Sequence, residues 1–221
     1  MVRFVPVVEH PGVDDPPNWP VLTTLAPAFI VLGADTEARA TGSVVWHLAR
    51  YNLLKLTPEN EIEYADLRID PPSILTRLIK ADHLAIPGGI AVMDTVTGRE
   101  ITPGCCAGLE EWQQWLEFER TGESPWMGHE PDPWLERTDD HVRVWSHGNL
   151  AEGDYGEPFA FDMTLDELRA GLESVSRDLV AFSKVLRRWA QEYAPFVADQ
   201  LVDRFLLEFG PPQDTARVSQ N

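Results

Sequence analysis

The chain has 221 residues, and 36 acidic side chains face 18 basic ones, for a formal charge of −18. That balance excludes a sequence-independent nucleic-acid binder, which needs cations against phosphate. No apolar run approaches the length of a membrane span, and the two cysteines are adjacent, so a loop-closing disulfide framework is excluded as well.

The N-terminus, Met1-Val2-Arg3-Phe4-Val5-Pro6, has no signal-peptide h-region, which predicts a cytoplasmic protein. The length predicts one domain over 1–221. Within it we expect a proline-rich arm (1–28), an α+β core (29–160), C-terminal helices (161–210) and a frayed tail (211–221). In the arm, prolines 6, 11, 16, 17, 20 and 27 leave room for one edge strand, Arg3 to Val8. Ala28-Phe29-Ile30-Val31-Leu32, ending at Gly33, reads as a buried strand. Residues 35–56 fit either a strand or a helix capped by Ser43, and the helix is the preferred reading.

Pro71-Pro72-Ser73, followed by Ile74, Leu75, Leu78 and Ile79, predicts a helix over 72–82. Two apolar runs around Thr97-Gly98 predict a hairpin over 90–102. Leu109, Trp112, Trp115 and Leu116 predict a helix over 108–120, stopped by Thr121-Gly122. Residues 123–141 read as a proline- and tryptophan-rich loop, and 141–146 as a strand.

The strongest periodicity lies near the C-terminus. Thr164-x-x-Glu167 is a capping box, and it opens a helix over 165–193. Its seam runs Leu165, Leu168, Leu172, Val175, Leu179, Phe182, Leu186 and Trp189, and Tyr193 and Phe196 would continue it. Pro195 should break the helix before a second one over 196–209, which Gly210 stops. The seam fits either packing inside the chain or a coiled-coil partner. The expected fold is therefore α+β: a small antiparallel sheet from 3–8, 28–33, 90–102 and 141–146, covered by helices and a C-terminal helical pair.

Charge is concentrated. Residues 105–167 hold sixteen carboxylates against three arginines, a local net charge of −13. Helix N-termini account for Glu110, Glu111, Asp166 and Glu167. The remainder is either a solubilising surface or one built for a basic partner. Within Ser124–Trp134, Trp126 and Trp134 could anchor an interface rimmed by Glu130, Asp132, Glu136, Asp139 and Asp140. The same tryptophans could instead tuck the loop onto the core.

Cys105 and Cys106 precede a helix, a place that suits core packing, redox or metal chemistry, or a nucleophile. His129, His141 and His147 lie downstream at separations that match no standard zinc-finger spacing, so neither a metal nor a cofactor is expected. A cysteine-dependent hydrolase or thiol-redox enzyme using Cys105 or Cys106 with His129 is the alternative to a binding protein.

Two motifs carry a resemblance. Gly104-Cys105-Cys106-x-Gly108-Leu109-Glu110-x-Trp112-x-x-Trp115 is followed by Pro125-Trp126-x-Gly128-His129-x-Pro131. Over residues 104–131 the chain resembles small actinobacterial proteins associated with polymorphic-toxin immunity. The resemblance implies a cytoplasmic antitoxin that binds and blocks one toxin domain, and it assigns no catalytic residue; with it, the expected protein is a binding protein that covers a toxin's active surface and is not an enzyme. An acidic antitoxin suits a basic toxin. The oligomeric state stays open.

Overall fold

The computed structural model describes residues 2–12, 17–24, 27–53, 71–148 and 156–212. The expected tail from 213 onward, Pro16 in the arm, residues 54–56 of the ambiguous segment and the carboxylates Glu152 and Asp154 lie outside them.

The fold is α+β, with two antiparallel sheets around one large apolar core and a small separate cluster of Val5, Val7 and Ala91. The first sheet comprises β1 (Val2–Glu9), β2 (Phe29–Val31), β3 (Gly88–Asp94) and β4 (Glu100–Ile101), in the order β2-β1-β3-β4. β1 is therefore a central strand and not the expected edge. Pro6 is tolerated there because it lies just past the last β1–β2 partner pair, Val7 with Val31. Its carbonyl still accepts from the Leu32 backbone N–H at 2.9 Å, and its missing donor falls at the end of the ladder. β3 and β4 form the expected hairpin, closed by Gly98 at positive φ.

Within the described part of residues 35–56, the chain is helical from Ala38 to Leu53, forming α1 (Ala38–Leu53). Ser43 does not cap it. It is buried inside α1, where its Oγ accepts the Leu22 backbone N–H at 2.9 Å and fastens the N-terminal arm to the helix. Trp19 does the same by donating Nε1–H to the Gly42 carbonyl at 2.9 Å, edge-on to both Trp46 and Trp189. α2 (Pro71–Ile79) buries Ile74, Leu75 and Leu78, the face expected from their spacing. The segment expected at 108–120 begins as a 3-10 turn, Leu109–Gln113, and continues as α3 (Gln114–Thr121). Gly122, in the left-handed conformation, stops α3 by donating to the Phe118 carbonyl.

Residues 141–146 do not join the first sheet. A second sheet, in the order β5-β6-β7, comprises β5 (Trp134–Thr138), β6 (His141–Trp145) and β7 (Ala160–Thr164). β5 falls within the stretch expected to be loop. Its sequence offers one buried apolar side chain, Leu135, and its hairpin turns through Asp139 at φ 34° without glycine, so neither strand signal is present.

α4 (Leu165–Tyr193) starts at the expected capping box, with Thr164 Oγ1 accepting the Glu167 backbone N–H and the Glu167 carboxylate accepting the Thr164 backbone N–H. Its seam from Leu168 to Trp189 is buried within the chain, against β1, α1, α5 and the second sheet. The seam is therefore internal packing. α5 (Ala198–Phe209) lies beside it and buries Leu201, Phe205 and Phe209. Phe196 does not continue the seam: it is 94% exposed. Pro195 ends α4 and opens a 3-10 turn, Pro195–Val197, which redirects the chain before the next seam position. Trp112 ties the middle of the chain to this pair by donating Nε1–H to the Phe209 carbonyl at 2.9 Å.

Candidate functional site

Two surfaces carry the residues singled out above. The first is a loop clamp. Residues 104–106 and 127–130 run against each other through three backbone bonds: Gly104 N–H to the Met127 carbonyl at 2.7 Å, Cys105 N–H to the Glu130 carbonyl at 2.8 Å, and His129 N–H to the Cys105 carbonyl at 3.0 Å. Glycine permits the approach. A Cβ on Gly128 would stand 2.5 Å from Gly104 backbone atoms, and one on Gly104 would stand 2.7 Å from the Glu130 carbonyl oxygen. The other side of the clamp is fixed to the first sheet, with Gly88 N–H donating to the Ala107 carbonyl and Leu109 N–H to that of Ile86.

This clamp brings together Cys105, Cys106 and His129, whose Sγ and imidazole nitrogen atoms all lie within 4.8 Å of one another. Cys106 has φ 68°, a conformation in which side chains other than those of glycine, asparagine and aspartate are uncommon. Both cysteines are exposed, so the core-packing reading of the pair is corrected. Glycines 104 and 108 flank them in a turn whose backbone is committed to its neighbours, which leaves the thiols outside. The Cys106 thiol donates to Cys105, and that bond, with the Cys105 charge, pushes it above its ordinary range; the Glu9 carboxylate acts in the same direction. The Trp126 ring stands edge-on to His129 at 4.7 Å and orients the imidazole. Met127, buried behind the loop, anchors it to the core, while Trp126 is 39% exposed. The cavity beneath, lined by Gly89, Pro103, Trp112 and Met127 among others, measures about 10 Å³.

The second surface is the outer face of the second sheet. Leu135, Val142, Val144, Phe161 and Met163 point inward and are buried. Trp134, Glu136, His141, Arg143, Trp145 and Asp162 alternate to the other side. Trp134, 38% exposed, stacks on its cross-strand partner Trp145 at 5.9 Å with 11° between the planes. The Trp145 indole N–H donates to Glu136 at 3.2 Å. Arg143 lies over the Trp145 ring at 5.3 Å and pairs with Asp162 at 2.7 Å. Asp139 and Asp140 are exposed at the tip of the β5–β6 hairpin.

The anchors expected to share one loop are thus divided. Trp126 and Glu130 belong to the clamp, Asp132 lies on the connection to β5 with φ 57°, and Trp134, Glu136, Asp139 and Asp140 belong to the second sheet. The acidic segment is divided as well. Glu117, Glu119, Asp162 and Asp166 pair with Arg120, Arg169 and Arg143. Glu110 turns inward to accept the Ile86 backbone N–H, and burial raises its pKa. Sequence reasoning missed Trp145 and Arg143. The alternation over 141–146 contained the signal, since it places both on the face opposite Val142 and Val144.

Among the described residues, no helix is long and apolar enough to cross a membrane. No known protein family matches the chain, and no curated protein or solved structure shows significant similarity to it.

Proposed function

We propose that the protein is an acidic cytoplasmic binding protein, an immunity protein that neutralises a basic toxin by covering its active surface with the outer face of the second sheet. The observation that supports this reading most is the Trp134–Trp145 stack beside Glu136, with Trp134 exposed and Trp145 half-buried, on a hairpin whose far tip carries the exposed Asp139 and Asp140. Aromatic anchors with a charged border are the usual composition of interface hot spots. The chain's charge of −18 would steer a basic partner toward it. The resemblance over 104–131 supplies the immunity assignment. On this reading the clamp is the scaffold beside the interface, with Trp126 a peripheral contact.

The test begins with capture of partners from the native host at low salt, followed by release at high salt. The recovered basic protein is then used for association kinetics and a protection assay. Trp134→Ala should lower affinity on the order of tenfold or more through faster dissociation. Asp139→Lys with Asp140→Lys should slow association and flatten its salt dependence. Unchanged kinetics and full protection in both variants would remove this surface from the reading. Failure of any basic protein to bind the wild type would remove the reading itself.

The thiol enzyme is the second reading, favoured by the convergence of Cys105, Cys106 and His129. A thiol nucleophile needs a lowered pKa, whereas that of Cys106 is raised by its partner Cys105, which counts against Cys106 in that role. The binding reading is therefore preferred.

A further inference from the structure

We propose that Cys105, Cys106 and His129 form a zinc site with three protein ligands and a fourth position open to solvent. The inference is independent of the partner surface on the second sheet. It also departs from the sequence reading, in which no finger spacing connects these residues. Finger spacings describe ligands delivered by adjacent turns or hairpins. Here the ligands come from two loops whose backbones are bonded face to face.

Donor set, separation and rigidity each fit the ion. Two thiolates and one imidazole are soft-to-borderline donors, which select zinc over magnesium or calcium. Their two negative charges balance one divalent cation. Zinc binds sulfur at about 2.3 Å and imidazole nitrogen at about 2.0–2.1 Å, so tetrahedral angles place donor atoms roughly 3.5–3.8 Å apart. The three donors already lie within 4.8 Å of one another, and rotation of exposed side chains closes the difference. The framework that carries them is fixed. Gly104 and Gly128 allow the two loops to touch, the bonds between Cys105 and residues 129 and 130 set their register, and Trp126 braces the imidazole. Cys106 holds a left-handed backbone that a cysteine rarely adopts, and strain of this kind concentrates at functional positions. Of the other histidines considered, neither His141 nor His147 joins the group; His141 lies in β6, and His147 faces the Ser146 hydroxyl at 3.0 Å. A bound ion would fasten the Cys-Cys turn to the tryptophan loop without a disulfide.

The test uses the full chain with reduced thiols, stripped of metal and freed of chelator. Cobalt(II) is titrated as a spectroscopic probe and then displaced with zinc. One equivalent of cobalt should produce thiolate-to-cobalt charge-transfer absorption and the strong visible bands of a tetrahedral centre, and zinc should erase both. Cys105→Ser, Cys106→Ser and His129→Ala should each weaken zinc binding on the order of a hundredfold, at least the loss seen when ligand-supporting contacts are removed. These positions are exposed, and circular dichroism checks that the variants remain folded. Absence of charge-transfer bands in the wild type would overturn the site. So would zinc affinity retained in the Cys105→Ser, Cys106→Ser double variant, because the acidic surface would then be the ligand.

Discussion

Gly171 lies within α4, where the first sheet packs against it, and Gly171→Ala opposes two effects of known size. In an exposed helix interior the change gains about 1 kcal/mol, because alanine is the better helix former. Here the added Cβ would stand 2.4 Å from Phe4 Cδ2 and 2.8 Å from Phe4 Cγ. Carbon atoms rest at about 3.5–4.0 Å, so either the ring or the helix must retreat by more than about 1 Å. Trp115, itself buried and edge-on to Phe4 at 5.8 Å, blocks the ring's retreat on that side. Overpacking of this kind costs about 1–3 kcal/mol, with larger values where backbone must shift. An overlap of more than about 1 Å places the cost in the upper part of that range, about 2–3 kcal/mol, so we expect a net loss of about 1–2 kcal/mol, or several degrees in Tm at about 2–4 °C per kcal/mol for a chain of this size. Urea unfolding followed by tryptophan fluorescence should show a lower midpoint at unchanged slope. Phe4→Leu, destabilising alone, should cost less in the Gly171→Ala background, because the two changes relieve each other. A midpoint that rises or stays fixed in Gly171→Ala would refute the tight α4–β1 contact.

Two further outcomes concern pH and capping. Burial lowers the His47 pKa from 6.5 to about 4, against a hydrogen bond from Nδ1 to the Glu9 carbonyl at 2.8 Å that pulls the other way, while the Arg50 and His10 charges lower it further. Since the unfolded chain takes up the proton first, this contribution is complete above about pH 6.5 and is lost as pH falls toward about 4. The shift sets a ceiling of about 3 kcal/mol, reduced to about 1–2 because the imidazole keeps part of its contact with water. Urea midpoints across that range should flatten in His47→Gln, and an unchanged slope would exclude His47 as their source. Thr164→Ala removes the acceptor for the Glu167 backbone N–H and should lower stability by about 1 kcal/mol in the same assay, with the helix content of the folded state retained.

Local rules account for what the sequence made legible. The capping box at Thr164 and Glu167, the seam from Leu168 to Trp189, the stop at Gly122 and the hairpin around Gly98 each act within a few turns of chain. Spacing and backbone chemistry therefore determine them without reference to the rest of the molecule. The same holds for the break at Pro195, although its consequence for Phe196 does not follow from spacing. A heptad count assumes an unbroken helix, and the exposure of Phe196 depends on where the 3-10 turn sends the chain.

Tertiary structure decided the remainder. β1 is central because both β2 and β3 pair with it, and a proline count cannot disclose partners some twenty and some eighty residues away. β5 exists because β6 supplies its hydrogen-bond partners; Trp134-Leu135-Glu136-Arg137-Thr138 carries too little apolar alternation to announce a strand. The candidate sites follow the same division. The sequence named Cys105, Cys106, His129, Trp126 and Trp134 by residue type. Only folding divided the two tryptophans between a loop and a sheet and brought the cysteines to the histidine. The physical reason is that backbone hydrogen bonding between distant segments fixes which side chains converge, and linear spacing encodes that only where the segments are neighbours in sequence.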